Sequence, residues 1–289
     1  MLYLGAPLWA NKAWVGSFYP TGTKPRDFLR LYSQRLNTVE GNTTFYATPS
    51  AEIAARWRDE TPAGFKFCFK FPRTITHERR LRGAEAETAE FAERLEVLGD
   101  RAGPCFLQLP PSFTGADLPA LLAYLDALPP LAGQPWSLAV EVRHRDFFGG
   151  PAEPALAEAL AERGLARVLY DQRGLRSAEP DDPATRLAQA RKPNVPVRFT
   201  RTAPFAFVRD ISHPDLPANA PLLDEWAAHA AEWLQAGDDV FFFCHHKNDV
   251  YAPALAREFH ARLSRLVPLP PLPEWGEQSP EAPQQASLF

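Results

Sequence analysis

Acidic, basic and amide side chains in this chain gather near the carboxyl ends of short apolar runs: Glu40 and Asn42, Lys70, Arg73 and His77, Gln108, Glu141 and Arg143, Asp171, Arg209, and His245. Carboxylates and a lysine at one place could move protons. Arginines beside them could hold an anion, since a guanidinium matches the geometry of phosphate or carboxylate. Glu141 is the first candidate for general acid or base, and Lys70 for stabilising developing negative charge. Asn42, Arg73, His77, Gln108, Arg143, Asp171, Arg209 and His245 are the candidates for holding the ligand. The expected ligand is anionic, with phosphate-bearing compounds the favoured class. The structural alternative is an ion network that satisfies itself, such as Lys70 paired with Glu141, because buried ionic networks perturb charges without doing chemistry.

Such residues must be delivered by strands. Short apolar runs at Leu2–Gly5, Thr38–Thr43, Phe65–Phe71, Cys105–Leu109, Leu138–Val142, Ala166–Asp171, Phe205–Arg209 and Val240–Cys244 alternate with helical patterns. Leu118, Leu121, Leu122, Leu125 and Leu128 line one helical face, as do Leu223, Trp226, Ala230 and Trp233. Ser50 is placed to cap a helix over Ala51–Glu60, and Asp117 to open the Leu118 helix. Eight strand–helix alternations predict an α/β fold, a (β/α)8 TIM-type barrel. An open doubly wound sheet would usually carry a glycine-rich phosphate turn after its first strand, and Gly5-Ala-Pro-Leu-Trp9 holds none. If the apolar series Phe65/Phe67/Phe69, Leu107/Leu109 and Leu138/Val140/Val142 faces the helices, then Lys66, Cys68, Lys70, Gln108, Glu141 and Arg143 point inward, as do Glu40 and Asn42 in their own phase.

Composition narrows the class. The 289 residues carry a net charge of −4, which argues against a surface wholly coated for nucleic acid. Cys68, Cys105 and Cys244 lie singly in apolar runs and read as reduced thiols filling core space, as in a cytosolic protein. Neither a signal peptide nor a run of membrane-spanning length is present, so the expected location is cytoplasmic, with no membrane partner.

Between Lys66 and Arg82 lie six Lys or Arg, one acid (Glu78) and the aromatic residues Phe67, Phe69 and Phe71. A basic loop of this kind fits phosphate contact, with nucleic acid as a partner class, or is simply solvated. In His245-His246-Lys247-Asn248 adjacent side chains point to opposite faces, so only one histidine can enter the site. Glu40, Glu141, Asp171 and one of these histidines form an alternative set for a divalent ion. The usual metal-ligand spacings are absent, however, and no metal or other cofactor is predicted. No Gly-x-Ser-x-Gly occurs, and neither His77 nor His213 has an evident nucleophile partner. The connection from Asp171 to Pro204 is long, rich in Pro and charge, with a weak helical pattern over Ala184–Ala190.

Several of these stretches resemble the YecE-like family, known as domain of unknown function 72. They are Asn37–Tyr46 with Trp57, Thr61–Phe67, Lys70–His77, Leu107–Phe113, Ala139–His144, Phe207–Arg209 and Tyr251–Pro253, in the family's order over residues 1–266. The resemblance implies a TIM-type barrel and no assigned activity. One departure is Cys244-His-His-Lys-Asn248, where the family tends to carry asparagines. Residues 1–267 are thus expected to form the barrel domain and 268–289 a flexible, extended Pro-rich tail, with six prolines, outside it. The ending Gln285-Ala-Ser-Leu288-Phe289 resembles the peptide by which bacterial replication and repair proteins dock on the DNA sliding clamp; an inert tail folded back on the barrel is the alternative. Two function classes remain open: a hydrolase or lyase on a phosphorylated substrate in nucleic-acid metabolism, or a non-catalytic nucleic-acid-binding module tethered to the clamp.

Overall fold

The computed structural model describes residues 1–276. Among them eight strands follow one another: β1 (Leu2–Gly5), β2 (Thr38–Gly41), β3 (Lys66–Phe69), β4 (Cys105–Gln108), β5 (Leu138–Glu141), β6 (Ala166–Asp171), β7 (Phe205–Ile211) and β8 (Asp239–His245). The helices are α1 (Phe28–Ser33), α2 (Ala51–Asp59), α3 (Glu85–Glu96), α4 (Leu118–Asp126), α5 (Ala152–Glu162), α6 (Arg173–Ser177), α7 (Pro183–Arg191), α8 (Ala220–Gln235) and α9 (Ala252–Leu263). All strand pairs are parallel. One run of pairing joins β1, β8, β7, β6, β5 and β4, and β2 pairs separately with β3.

Two narrow seams close this (β/α)8 barrel. Between β3 and β4, Phe71 N donates to Phe106 O at 3.0 Å and Gly103 N to Phe67 O at 2.9 Å. Between β1 and β2, Glu40 N donates to Ala6 O at 3.0 Å. Side chains complete that seam. Asn37 donates to Leu2 O and accepts from Leu4 N, each at 2.8 Å. The buried Tyr32 hydroxyl accepts from Ala6 N and donates to Thr38 O. Gly5 is required here, because a Cβ would lie 2.3 Å from Thr38 O, a backbone atom that cannot step aside.

Alternation along the strands makes two cores. Outward-facing Phe65, Phe67 and Phe69 pack beneath the helices with Trp57. Inside the barrel Tyr3 stacks on Phe241 at 4.4 Å, and Phe106, Phe207 and Phe243 fill the middle. This aromatic plug leaves only the carboxyl ends of the strands for polar groups. Among the described residues no helix is long and apolar enough to cross a membrane. The three cysteines are free and buried.

Several expectations shift. β2 stops at Gly41 because Asn42 leads into a helical turn at Thr43–Phe45, whereas β7 and β8 run on to Ile211 and His245. Ser50 caps α2 through Ile53 N at 3.3 Å. Asp117 does not cap α4; its carboxylate accepts from Thr114 N and pairs with Arg80 and Arg82. The long connection after β6 holds α6 and α7, the latter capped by Asp182. The tail is not wholly outside the domain. Leu269, Leu272 and Trp275 pack on the outer core, Trp275 meets Phe18 edge-on at 5.2 Å, and Arg257 lies over its ring. Gln285, Leu288 and Phe289, the residues expected to meet a sliding clamp, lie outside the described residues.

Candidate functional site

Six strands deliver polar side chains to one belt at the barrel's carboxyl end. Arg209 from β7 sits at its centre, in bidentate contact with Glu40 from β2, both bonds at 2.7 Å, and in contact with Glu141 from β5 through its third nitrogen. Glu40 also accepts from Asn42 at 2.8 Å and from the His245 ring at 3.0 Å. Glu141 accepts from Arg143 Nε at 2.6 Å and Gln108 Nε2 at 2.9 Å, and Gln108 Oε1 accepts from Lys70 Nζ at 2.5 Å. The belt therefore brings together Glu40, Asn42, Lys70, Gln108, Glu141, Arg143, Arg209 and His245.

Charge settles roles within it. Burial opposes ionisation of Glu141, but Arg209, Arg143 and Lys70 outweigh it and hold the carboxyl down at about 2. Glu40 is likewise held well below the usual range: burial is overcome by Arg209 and His245. Arg209 is stabilised as a cation against its own desolvation by the two glutamates. Glu141 is thus ionised at neutral pH with both oxygens engaged, a poor proton donor and a weak base. Glu141, the first candidate for general acid or base, stands in the belt with hydrogen bonds from Gln108, Arg143 and Arg209. Arg209, expected to grip a ligand, instead spends all three nitrogens on the glutamates.

Lys70 differs. It is 7% exposed and makes no ion pair among the described residues; its ammonium lies 3.5 Å from the centre of the Phe45 ring. Burial, then Arg143 and Arg209, lower it to about 7 against the pull of Glu141 and Glu40. The Lys70–Glu141 pair considered from sequence runs indirectly, through Gln108. Thr44 Oγ1 ties the turn carrying Phe45 to Lys70 O at 2.7 Å.

His77 meets the other edge of Phe45, with ring centres 5.0 Å apart. A short π-helical turn, Thr74–Glu78, carries it, and left-handed backbone follows at Arg80 and Leu81 (φ 50° and 66°). Irregular backbone of this kind is often found at functional sites. Burial and then Lys70 lower His77 to about 4, so it is neutral. Thr76 Oγ1 lies 3.2 Å from Pro72 O and 2.9 Å from His77 Nδ1. With the hydroxyl hydrogen on Pro72, Nδ1–H is the donor and Nε2 keeps its lone pair.

Asp171 is not in the site. It ends β6 in the outward phase, where it binds Arg173 and accepts from Trp226 Nε1 of α8 at 2.9 Å. The four-residue metal set therefore does not converge, and among the described residues no group of three or more His, Cys, Asp or Glu is placed to hold an ion. Arg73 is exposed and pairs with Glu78 at 3.4 Å. His246 turns away toward Pro214 O and Asn248.

Two further residues belong here. Tyr170, the inward neighbour of Asp171, is 4% exposed, and its hydroxyl is buried without a hydrogen-bond partner among the described residues. Arg143 and Arg209 lie 6.0 and 5.8 Å from its ring. Burial raises it to about 12, so it is a donor at neutral pH. Lys192, just after α7, feels Arg209, Arg143, Asp249 and Glu40 and is lowered to about 8, chiefly by burial. Among the described residues its side-chain amine makes no hydrogen bond or ion pair, and the Arg143 guanidinium makes only its Nε bond to Glu141. Continuing the inward phase of Val168 along β6 would have identified Tyr170. Lys192 stands in a loop, where no periodicity points to it.

The family model described as a protein of unknown function, DUF72, matches residues 3–277. The UPF0759 protein YecE of Escherichia coli K12 is 39% identical over 290 residues, covering 100% of each chain. Crystal structures of DUF72 proteins superpose with TM-scores of 0.66 (Enterococcus faecalis V583; 17% identity, 93% and 96% of the two chains) and 0.65 (Thermotoga maritima MSB8; 21% identity, 92% and 98%). At those identities the superpositions bear on the fold alone. With the family model matched across the barrel and a full-length relative at this identity, the chain belongs to the DUF72 family.

Proposed function

We propose that the strand-end site binds the phosphate group of a small substrate and that Lys70 moves a proton there, as in a lyase or hydrolase. The observation carrying this reading is the buried Tyr170 hydroxyl, which has no hydrogen-bond partner among the described residues, beside an Arg143 guanidinium whose other N–H groups make no bond among them. A buried unpaired hydroxyl costs about 1–3 kcal/mol, so it is a group waiting for a partner. The charge balance favours an anion as that partner. Lys70, Arg143, Lys192 and Arg209 stand against Glu40 and Glu141, with Asp249 a third acid near Lys192. Tyr170, Arg143 and Lys192 would hold the anion, while Lys70 at about 7 is poised to take up or release a proton at neutral pH.

The nucleic-acid alternative draws less support. The basic run after β3 is largely neutralised: Arg73 pairs with Glu78, Arg79 with Glu87, and Arg80 and Arg82 with Asp117. Calorimetric titration with inorganic phosphate at pH 7 tests the reading. Tyr170→Phe is expected to bind about 3–10-fold more weakly than the parent, the value of one hydrogen bond, while melting at the same or a higher temperature, since the unpaired hydroxyl is gone. No binding by the parent, or equal affinity in the two proteins, contradicts it.

A further inference from the structure

We propose that Lys70 is an imine-forming nucleophile, and that the substrate of this site is a carbonyl compound bearing a phosphate or carboxylate group. The inference rests on the anion-binding reading above and adds the covalent step.

The case begins with where the amine sits. Its hydrogen-bond partner is a neutral amide oxygen, Gln108 Oε1, and Gln108 in turn donates to Glu141. A carboxylate in direct contact would hold the lysine as an ammonium; here that carboxylate is one residue removed, and the guanidinium groups of Arg143 and Arg209 disfavour charge on the amine. Burial and neighbouring cations are the two devices that yield a neutral, reactive lysine amine. The Gln108 bond also fixes the direction of Nζ, so the amine is positioned as well as activated.

The surroundings suit both ends of the reaction. Attack of the neutral amine forms the C–N bond as the carbonyl π bond opens onto oxygen, and a proton passes from that nitrogen to the oxygen to give a neutral carbinolamine. Loss of that oxygen as water, with one more proton supplied, leaves a protonated imine. Atoms and charge balance without a redox partner. His77 flanks the same Phe45 ring and, in the tautomer that leaves the lone pair on Nε2, would carry protons between amine and departing hydroxyl. The product iminium is a cation on the nitrogen that already lies over the Phe45 face, so the cation–π contact persists after the step. The unpartnered Tyr170 hydroxyl and Arg143 would hold the substrate's anionic group on the same belt. An imine withdraws electrons from the adjacent carbon, which favours carbon–carbon or carbon–oxygen cleavage beside the carbonyl. The reaction class is therefore lyase rather than hydrolase.

The test uses glyoxylate, a carbonyl compound with a carboxylate, and borohydride at pH 7 on the full chain, followed by peptide mass mapping. Hydride delivered to the imine carbon leaves a carboxymethyl group on the lysine. Lys70 is expected to be labelled at least about tenfold faster than the exposed Lys12 and Lys24. Added phosphate is expected to slow Lys70 labelling alone. Labelling of Lys70 no faster than of Lys12, or preferential labelling of Lys192, overturns the proposal. Folding is checked by circular dichroism on Lys70→Arg, which keeps the charge and is expected to lose the fast label. Phosphate binding measured on the same unlabelled protein separates the two readings. Binding without Lys70 labelling removes the imine and leaves the anion pocket; absence of binding removes both.

Discussion

An Arg209→Leu protein is expected to be about 3–5 kcal/mol less stable than the parent at pH 7, because two buried carboxylates lose their central counter-ion. The guanidinium serves Glu40 with two bonds and Glu141 with one, and all three side chains are shut away from solvent. The pH dependence gives the effect a signature. In the parent, both glutamates ionise more easily folded than unfolded. Their contribution is fully present above the ordinary carboxylate range near 4.5 and is lost as pH falls toward about 2, where Glu141 takes up its proton. In Arg209→Leu, burial acts with much less opposition and raises both groups, so the variant's deficit shrinks as pH falls from 7 to 4.5. Urea unfolding at the two pH values reads this directly. A deficit below about 1 kcal/mol at pH 7, the size of an exposed ion pair, would show that the belt is not a buried structural network.

The second large effect concerns binding. Arg143→Gln is expected to weaken phosphate affinity about 10–100-fold, the value of 1.5–3 kcal/mol for hydrogen bonds to a charged group. Arg143 is half-buried, with one bond to Glu141 and its remaining N–H groups unused among the described residues. The variant keeps Arg209 on Glu141, so the belt itself persists. Sulfate, whose charge does not change near neutrality, provides the matching pH profile. Lys70 and Lys192 are cationic below about 7 and about 8 and lose their protons above, so sulfate affinity in the parent falls as pH rises through that window. In Lys70→Met the lower step of the profile is expected to disappear. A flat profile, or an Arg143→Gln affinity within twofold of the parent, would place the anion elsewhere.

Much of this arrangement could be read from alternation alone. Where a strand shows an unbroken apolar phase, as in Phe65/Phe67/Phe69 or Leu138/Val140/Val142, the opposite phase identifies the interior, and Lys70, Gln108, Glu141 and Arg143 do meet there. The same logic does not decide β6. In Arg167-Val-Leu-Tyr-Asp171 each phase contains an apolar residue, and the charge at the strand end is not a guide to the inward one. Asp171 belongs under α8 with Trp226, and Tyr170 faces the site. Roles were harder to read than positions. Which arginine answers which glutamate depends on reach across the barrel, so the sequence does not show that Arg209 pairs with Glu40 and Glu141. Lys192 and Phe45 reach the site from a loop and a turn, whose sequences carry no period to follow. The first part of the Pro-rich tail looked free because its prolines hide three large apolar residues, Leu269, Leu272 and Trp275, spaced to lie on the barrel's outer core.

A crystal structure of the protein soaked with tungstate, a heavy oxyanion of phosphate shape whose anomalous scattering locates it unambiguously, tests anion binding at the strand ends directly. A peak is expected within hydrogen-bonding distance of Tyr170 Oη and the free N–H groups of Arg143, with Lys192 turned toward it. Tungstate found only on exposed arginines such as Arg73, with the Tyr170 hydroxyl still unpartnered, would contradict it.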